Sequence, residues 1–140
     1  MLNVFVAGPS ADLERCENAV WRVRVFGIVT FDWPAQVRRT RDAGIQDDTL
    51  TMPERQQIKR DCLEGIRKAN VVLWLSGGSS EGASYEAGYA EALGKPVVVA
   101  GRLHPIYGDT LTPEGLCFPT DAQALAYLEA VAVALAIQQP

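Results

Sequence analysis

The chain has few of the residues that staple a fold, ligate a metal or anchor to a membrane. Its three cysteines, Cys16, Cys62 and Cys117, are odd in number, widely spaced and without a CxxC pair. That argues against a disulfide framework or zinc centre and fits a reduced, cytoplasmic setting. One histidine is present, His104, with no second ligand beside it, so it reads as structural and no metal is expected. Positive charge is also short. Thirteen Lys and Arg against 17 Asp and Glu give a net charge of -4 and a pI near 5.0. Binding a nucleic acid polymer needs a clustered positive field, which this balance does not favour. A small phosphorylated ligand needs only one or two donors and stays open. The N-terminus lacks a basic segment, and Asp12 and Glu14 follow soon, so no signal peptide is indicated. The most apolar stretch, Ala124 to Ile137, carries Glu129 and is short for a bilayer span. It reads as a core-facing helix, with no membrane partner. No repeat, low-complexity tract or linker divides the chain, so one domain over residues 1–140 is expected.

What is there instead is a series of short apolar runs alternating with helical patterns. Asn3 to Ala7 reads as a buried strand ending in the turn Gly8-Pro9-Ser10. From Ser10 to Phe26, Leu13, Cys16, Val20, Val23 and Phe26 recur at helical spacing, and Gly27 closes that helix. Ile28 to Trp33 reads as a second strand stopped by Pro34. Residues 34 to 52, rich in Arg, Asp and Thr, read as a long polar loop of the functional kind. Pro53 suits the first turn of a helix running to about Ala69. A strand at 70–75, a helix from Gly82 to Leu93 and a strand at 96–100 follow. Leu116 to Phe118 is a further short strand, and Thr120 caps the last helix. Near-continuous apolar strands separated by helices imply a parallel sheet covered on both faces. The fold class expected is α/β: a single-domain, flavodoxin-like (Rossmann-like) doubly wound sheet of four to five mainly parallel strands.

Ligands of such sheets bind at the carboxyl ends of the strands. The loop after Leu75 and the helix following it are therefore the expected site, and Glu86 is the acidic residue nearest. An early position in a helix favours the ionised carboxylate. Such a carboxylate can attack an anomeric carbon and form a glycosyl–enzyme intermediate. Ser79 and Ser80 supply hydroxyls, and Gly82 opens the helix start to a ligand. The turn after the first strand adds Gly8 and Ser10, and the end of the second adds Asp32 and Trp33, whose ring suits a planar base. Arg38, Arg39 and Arg41 are placed to close over a phosphate. From spacing alone, Glu86 reads more readily as a solvated helix-surface residue and the serines as mere caps.

The frame S-x-G-x-x-Y-E-x-G-x-A-x-A-x-G-K-P-V, running from Ser80 to Val97, resembles the nucleoside 2-deoxyribosyltransferase superfamily. Its members include deoxynucleoside 5′-monophosphate N-glycosidases and cytidylate hydrolases. Gly82, Glu86, Gly88, Ala90, Gly94, Lys95 and Pro96 match, and Val4 to Pro9 resembles the family's first strand and turn. The resemblance implies Glu86 as nucleophile. It also implies Ser80 as a 5′-phosphate contact, where transferases acting on unphosphorylated nucleosides carry an Asp. An Asp on the preceding helix assists the leaving base in the family. Here Asp61 lies one residue early and Cys62 takes that register, so either the helix is irregular or the Asp is missing. Phe5 stands where many relatives have a Tyr orienting the Glu, and Tyr85 or Tyr89 are possible substitutes. The implied activity is cleavage of the N-glycosidic bond of a nucleoside or nucleoside 5′-monophosphate through a glycosyl-Glu86 intermediate, with water or a second base as acceptor. Neither metal nor organic cofactor is implied, and a homodimer or higher oligomer is. Alternatives are a non-catalytic nucleotide-sensing module, or a cytokinin-type phosphoribohydrolase whose P-G-G motif Ser76-Gly77-Gly78 matches only in part.

Overall fold

Four runs of β-branched and aromatic residues build the sheet of this computed structural model, which describes residues 1–77, 80–102 and 116–139. The strands are β1 (Val4–Ala7), β2 (Val71–Leu75), β3 (Val97–Ala100) and β4 (Cys117–Phe118). They pair in the order β1-β2-β3-β4, all parallel, with Val4 opposite Val71, Val72 opposite Val97 and Val99 opposite Cys117. Every residue of β1, β2 and β3 is buried, as a sheet with two covered faces requires.

Among the described residues five helices cover it: α1 (Leu13–Val25), α2 (Trp33–Asp42), α3 (Met52–Lys68), α4 (Glu81–Ala92) and α5 (Asp121–Gln138). Their starts follow local chemistry. Thr51 and Glu54 form a reciprocal capping box on α3, and Thr120 accepts the Gln123 N–H to cap α5. Right-handed crossovers set α3 and α4 against one face of the sheet and α1 against the other, where α5 joins it. Arg15 ties these layers at the top of the sheet. It forks onto Asp121 with two bonds of 2.7 Å and donates to the Ser76 and Ala100 carbonyls at 2.7 and 3.3 Å.

The expected strand Ile28 to Trp33 is corrected to a single bridge. Val4 N–H donates to the Val29 carbonyl at 2.8 Å and Val29 N–H to the Leu2 carbonyl at 3.1 Å. Beyond that the chain leaves the ladder, because Asp32 accepts the Ala35 N–H and Pro34 suits a helix's first turn. Further along the same edge of β1, the Val6 carbonyl takes the Trp33 indole N–H at 2.6 Å instead. Since the Val29 segment lies outside β1, the flavodoxin-like order is present with its second strand worn down to a bridge.

The polar loop expected over residues 34–52 is likewise corrected: α2 occupies its first half and a 3-10 turn, Asp47–Thr49, part of the rest. Helix α5 departs from its reading too. Only Ala124, Leu125 and Leu128 are buried, while Val133, Leu135 and Ile137 are exposed. Eighteen residues extend about 27 Å, roughly twice the span of the short strands beneath, so the distal half overshoots the sheet. With mean hydropathy 1.2, α5 is long and apolar enough to cross a bilayer by length and composition. Its first half is held against α1 by Arg15–Asp121 and Arg22–Glu129, both at 2.7 Å.

Candidate functional site

The carboxyl edge of β1 and β2 opens into a cleft of about 680 Å³. Gly8, Ser10 and Trp33 line one wall, the start of α4 with Ser80, Gly82 and Glu86 another, and a face of α3 the third. Each wall has a local cause. A Cβ on Gly8 would sit 2.7 Å from Cys16 Sγ, so only glycine lets this turn press against α1. Ser80 caps α4 by accepting the Ala83 N–H at 3.1 Å. A Cβ on Gly82 would meet nothing within 4 Å, so the helix start is open. Alanines at 83, 87 and 90 carry the buried face of α4, so the helix lies close to the sheet with Glu86 turned toward the cleft.

Glu86 is half-buried, and burial pushes its carboxyl from 4.5 up to about 7, against a smaller lowering effect of the neighbouring Cys62 thiol. The helix start was expected to favour ionisation. It does not dominate, because Glu86 is the sixth residue of α4 and the dipole effect fades beyond the first turn. A carboxyl balanced near neutrality in a cleft is equipped for nucleophilic or general-base chemistry.

Not every expected residue reaches the cleft. Asp61 lies on another face of α3, accepts from Gln57 Nε2 at 2.7 Å, and lines a separate depression with Thr30 and Lys68. Helix α3 is regular, so the one-residue offset of about 100° turns Asp61 away and brings Cys62 in. Asp32 is spent capping α2 and pairing with Arg24 at 2.6 Å. Trp33 does line the cleft, but it is only 7% exposed and its N–H is committed to Val6. Ser79 and His104 lie outside the described residues. Arg38 is drawn to Glu17 at 2.5 Å, and Arg41 lies 3.9 Å from Asp47; none of Arg38, Arg39 and Arg41 lines the cleft. Phe5 is fully buried. Tyr89 accepts from Arg67 Nε at 2.8 Å, and Tyr85 lines the cleft under Lys59 Nζ, 5.4 Å from its ring.

The α3 wall, from which the sequence reading expected Asp61, carries residues that reading missed. Arg55, Lys59 and Cys62 face the cleft, with Ile58 and Leu63 beside them. Their i, i+4, i+7 spacing is the signal that was available, once Pro53 had located the helix. Among the described residues no carboxylate lies within 4.0 Å of Arg55 or Lys59, although Asp47 and Glu81 border the same cleft. No group of three or more His, Cys, Asp or Glu is placed to hold a metal among the described residues. A second groove, of about 520 Å³ between α1 and α5, is floored by Arg15 and Asp121, already paired with each other.

Fold and cleft together define an α/β protein of the doubly wound class with its site at the sheet's carboxyl edge. The particular proteins that share the architecture can be named. A 2-deoxyribosyltransferase from Bacillus psychrosaccharolyticus superposes with a TM-score of 0.65 at 18% identity, over 87% of this chain and 89% of that one. A 2-deoxyribosyltransferase from Leishmania mexicana gives 0.56 at 18% identity, over 93% and 98%. The CMP N-glycosidase BcmB of Clostridium botulinum gives 0.52 at 18% identity, over 91% and 98%. No family model matches the sequence, and no curated protein matches it. The likeness is therefore one of fold, and it falls on the structural family that the Ser80–Val97 frame resembles.

Proposed function

We propose that this protein is an enzyme that cleaves the N-glycosidic bond of a nucleoside or nucleoside 5′-monophosphate, with Glu86 as nucleophile. The observation that carries this reading is Glu86 itself, half-buried in the cleft at the sheet's carboxyl edge. Its neighbours in fold, two 2-deoxyribosyltransferases and a CMP N-glycosidase, support the same chemistry. In the proposed reaction a Glu86 carboxylate oxygen bonds to C1′ as the C1′–N bond breaks. The bonding electrons leave with the base, which takes up a proton. Water, or a second base, then attacks C1′ and releases the carboxylate. Since Asp61 faces elsewhere, the proton for the departing base comes from solvent or from a cleft group other than Asp61.

Ser80 at the start of α4 and Arg55 and Lys59 across the cleft support a phosphorylated substrate, which favours the hydrolase over the transferase. The site uses Gly8, Ser10, Trp33, Ser80 and Gly82 as its substrate-contacting walls. A homodimer is the proposed assembly. Arg15–Asp121 and Arg22–Glu129 share nearly one sequence offset, so α1 and α5 run parallel and Val25 comes level with Ala132. Trp21 (66% exposed) and Val25 (67%) then join Val133 and Ile137 in an apolar surface suited to a second copy. The test is incubation of the protein with a panel of nucleosides and 5′-monophosphates, scored for free base. Release that is lost in Glu86→Ala supports the enzyme. Tight binding of a panel member without release, in wild type and variant alike, favours a nucleotide-sensing module.

A further inference from the structure

Carboxylates that act as nucleophiles need a neighbouring donor to hold one oxygen and aim the other. Several side chains that sequence or expectation sets near Glu86 do not serve it. Phe5 has no hydroxyl, Tyr89 is bound by Arg67, and Asp61 is turned out of the cleft toward Gln57. Ser80 accepts the Ala83 N–H at the α4 cap, and the proton it keeps is the donor proposed above for a substrate phosphate. Cys62 remains. It is half-buried on the cleft face of α3, where α3 packs on α4, and lines the same space as Glu86. We propose that Cys62 is the positioning residue for Glu86, its neutral thiol donating to the carboxylate and fixing the oxygen that faces a ligand. The catalytic consequence rests on the proposed role of Glu86; the contact does not.

The chemistry of the thiol agrees with a donor's role. Burial first, and the charge of Glu86 second, push Cys62 up to about 12, so the proton stays on sulfur at neutral pH. A protonated thiol is a weak donor but a poor nucleophile, and with no metal cluster around it the group has no competing task among the described residues. Other groups facing Glu86 carry charge or titrate: Asp47 from the 3-10 turn, Arg55 and Lys59 from α3, Glu81 and Tyr85 from α4, and Cys16 behind the Gly8 turn. Besides burial, the Cys62 thiol is the one group among the described residues that shifts the Glu86 carboxyl, and it does so in the direction a donor gives.

The experiment titrates Glu86 in the full chain by carbon-13 NMR of carboxyl-labelled glutamate, with Glu86→Gln identifying the resonance. It needs no substrate, so it separates this proposal from the proposed activity. Cys62→Ala is expected to raise the Glu86 midpoint by about half a pH unit or more, because a donor to the ionised form is lost. Cys62→Ser retains a donor and is expected to keep the midpoint at or below the wild-type value. Leu63→Ala, which loses packing at the cleft but no donor, is expected to leave it in place. Should Cys62→Ala not fold, Cys62→Val carries the same test. A midpoint unmoved in a folded Cys62→Ala, or moved as far upward in Cys62→Ser, overturns the proposal. Where base release is observed, Cys62→Ala lowers kcat about tenfold with KM unchanged, and Cys62→Ser restores it; a loss confined to KM counts against it.

Discussion

Glu86→Gln is predicted to stabilise the fold above neutral pH and to leave it unchanged in acid. The sign follows from the direction of the shift. The carboxyl lies at about 7 in the folded protein and near 4.5 when unfolded. Below about 4.5 it is protonated in both states, and glutamate and glutamine are equivalent. Between 4.5 and 7 the unfolded chain ionises while the native one resists, so wild-type stability falls as pH rises, and above 7 the loss is complete. Taken whole, the shift corresponds to roughly 3 kcal/mol at about 1.4 kcal/mol per pH unit. Glu86 keeps some contact with water, which reduces this to about 1–2 kcal/mol, or roughly 3–6 °C in Tm for a domain of this size. Urea and thermal unfolding of both proteins at pH 4.5, 6, 7 and 8.5 give the difference directly. Curves that stay parallel across that range would refute the burial of a resisting carboxyl. The same titration predicts that base release by the wild type rises through about pH 7 and then levels.

Three further outcomes follow from other parts of the molecule. Arg15→Ala strips Asp121 and two strand-end carbonyls of their donor and is expected to cost about 2–3 kcal/mol in urea unfolding; Arg15→Lys, lacking the planar fork, recovers little of it. Gly65→Ala places a Cβ 3.0 Å from the Phe5 ring, which is fully buried, so overpacking outweighs alanine's helical preference and about 1–2 kcal/mol is lost by the same measure. Light scattering is expected to give twice the 15.2 kDa chain mass for the wild type and the single mass for Trp21→Glu/Val25→Glu. An unchanged dimer in that variant moves the interface off α1.

The strands were readable because burial on both faces leaves little choice of residue: Val71–Leu75 and Val97–Ala100 are uninterrupted apolar runs. Helix α2 was hidden for the opposite reason. It lies on the surface, buries only Trp33 and Pro34, and its run of Arg and Thr carries no apolar period. Pro34 read as a strand's end, whereas Asp32 followed by Pro34 is also a helix's beginning, and the cap decided. Of the cleft's lining, Glu86 and Ser80 were expected from the strand, loop and helix around Leu75 and from the resemblance of the Ser80–Val97 frame. The opposite wall was not, because it is assembled from α3, whose register against α4 is set by packing in three dimensions. That register selects Cys62 over Asp61 and puts Arg55 and Lys59 where Arg38 and its neighbours were expected.

The worn-down second strand has a consequence for how the protein would fail. An open strand border recruits other chains, and here an indole covers part of it: Trp33 satisfies the Val6 carbonyl that a neighbouring strand would otherwise have taken. Trimming that ring to Phe keeps most of the greasy bulk yet uncaps the border. Two effects are expected: a lower melting temperature, because a buried carbonyl loses its donor, and added self-association in light scattering, because the border is bare.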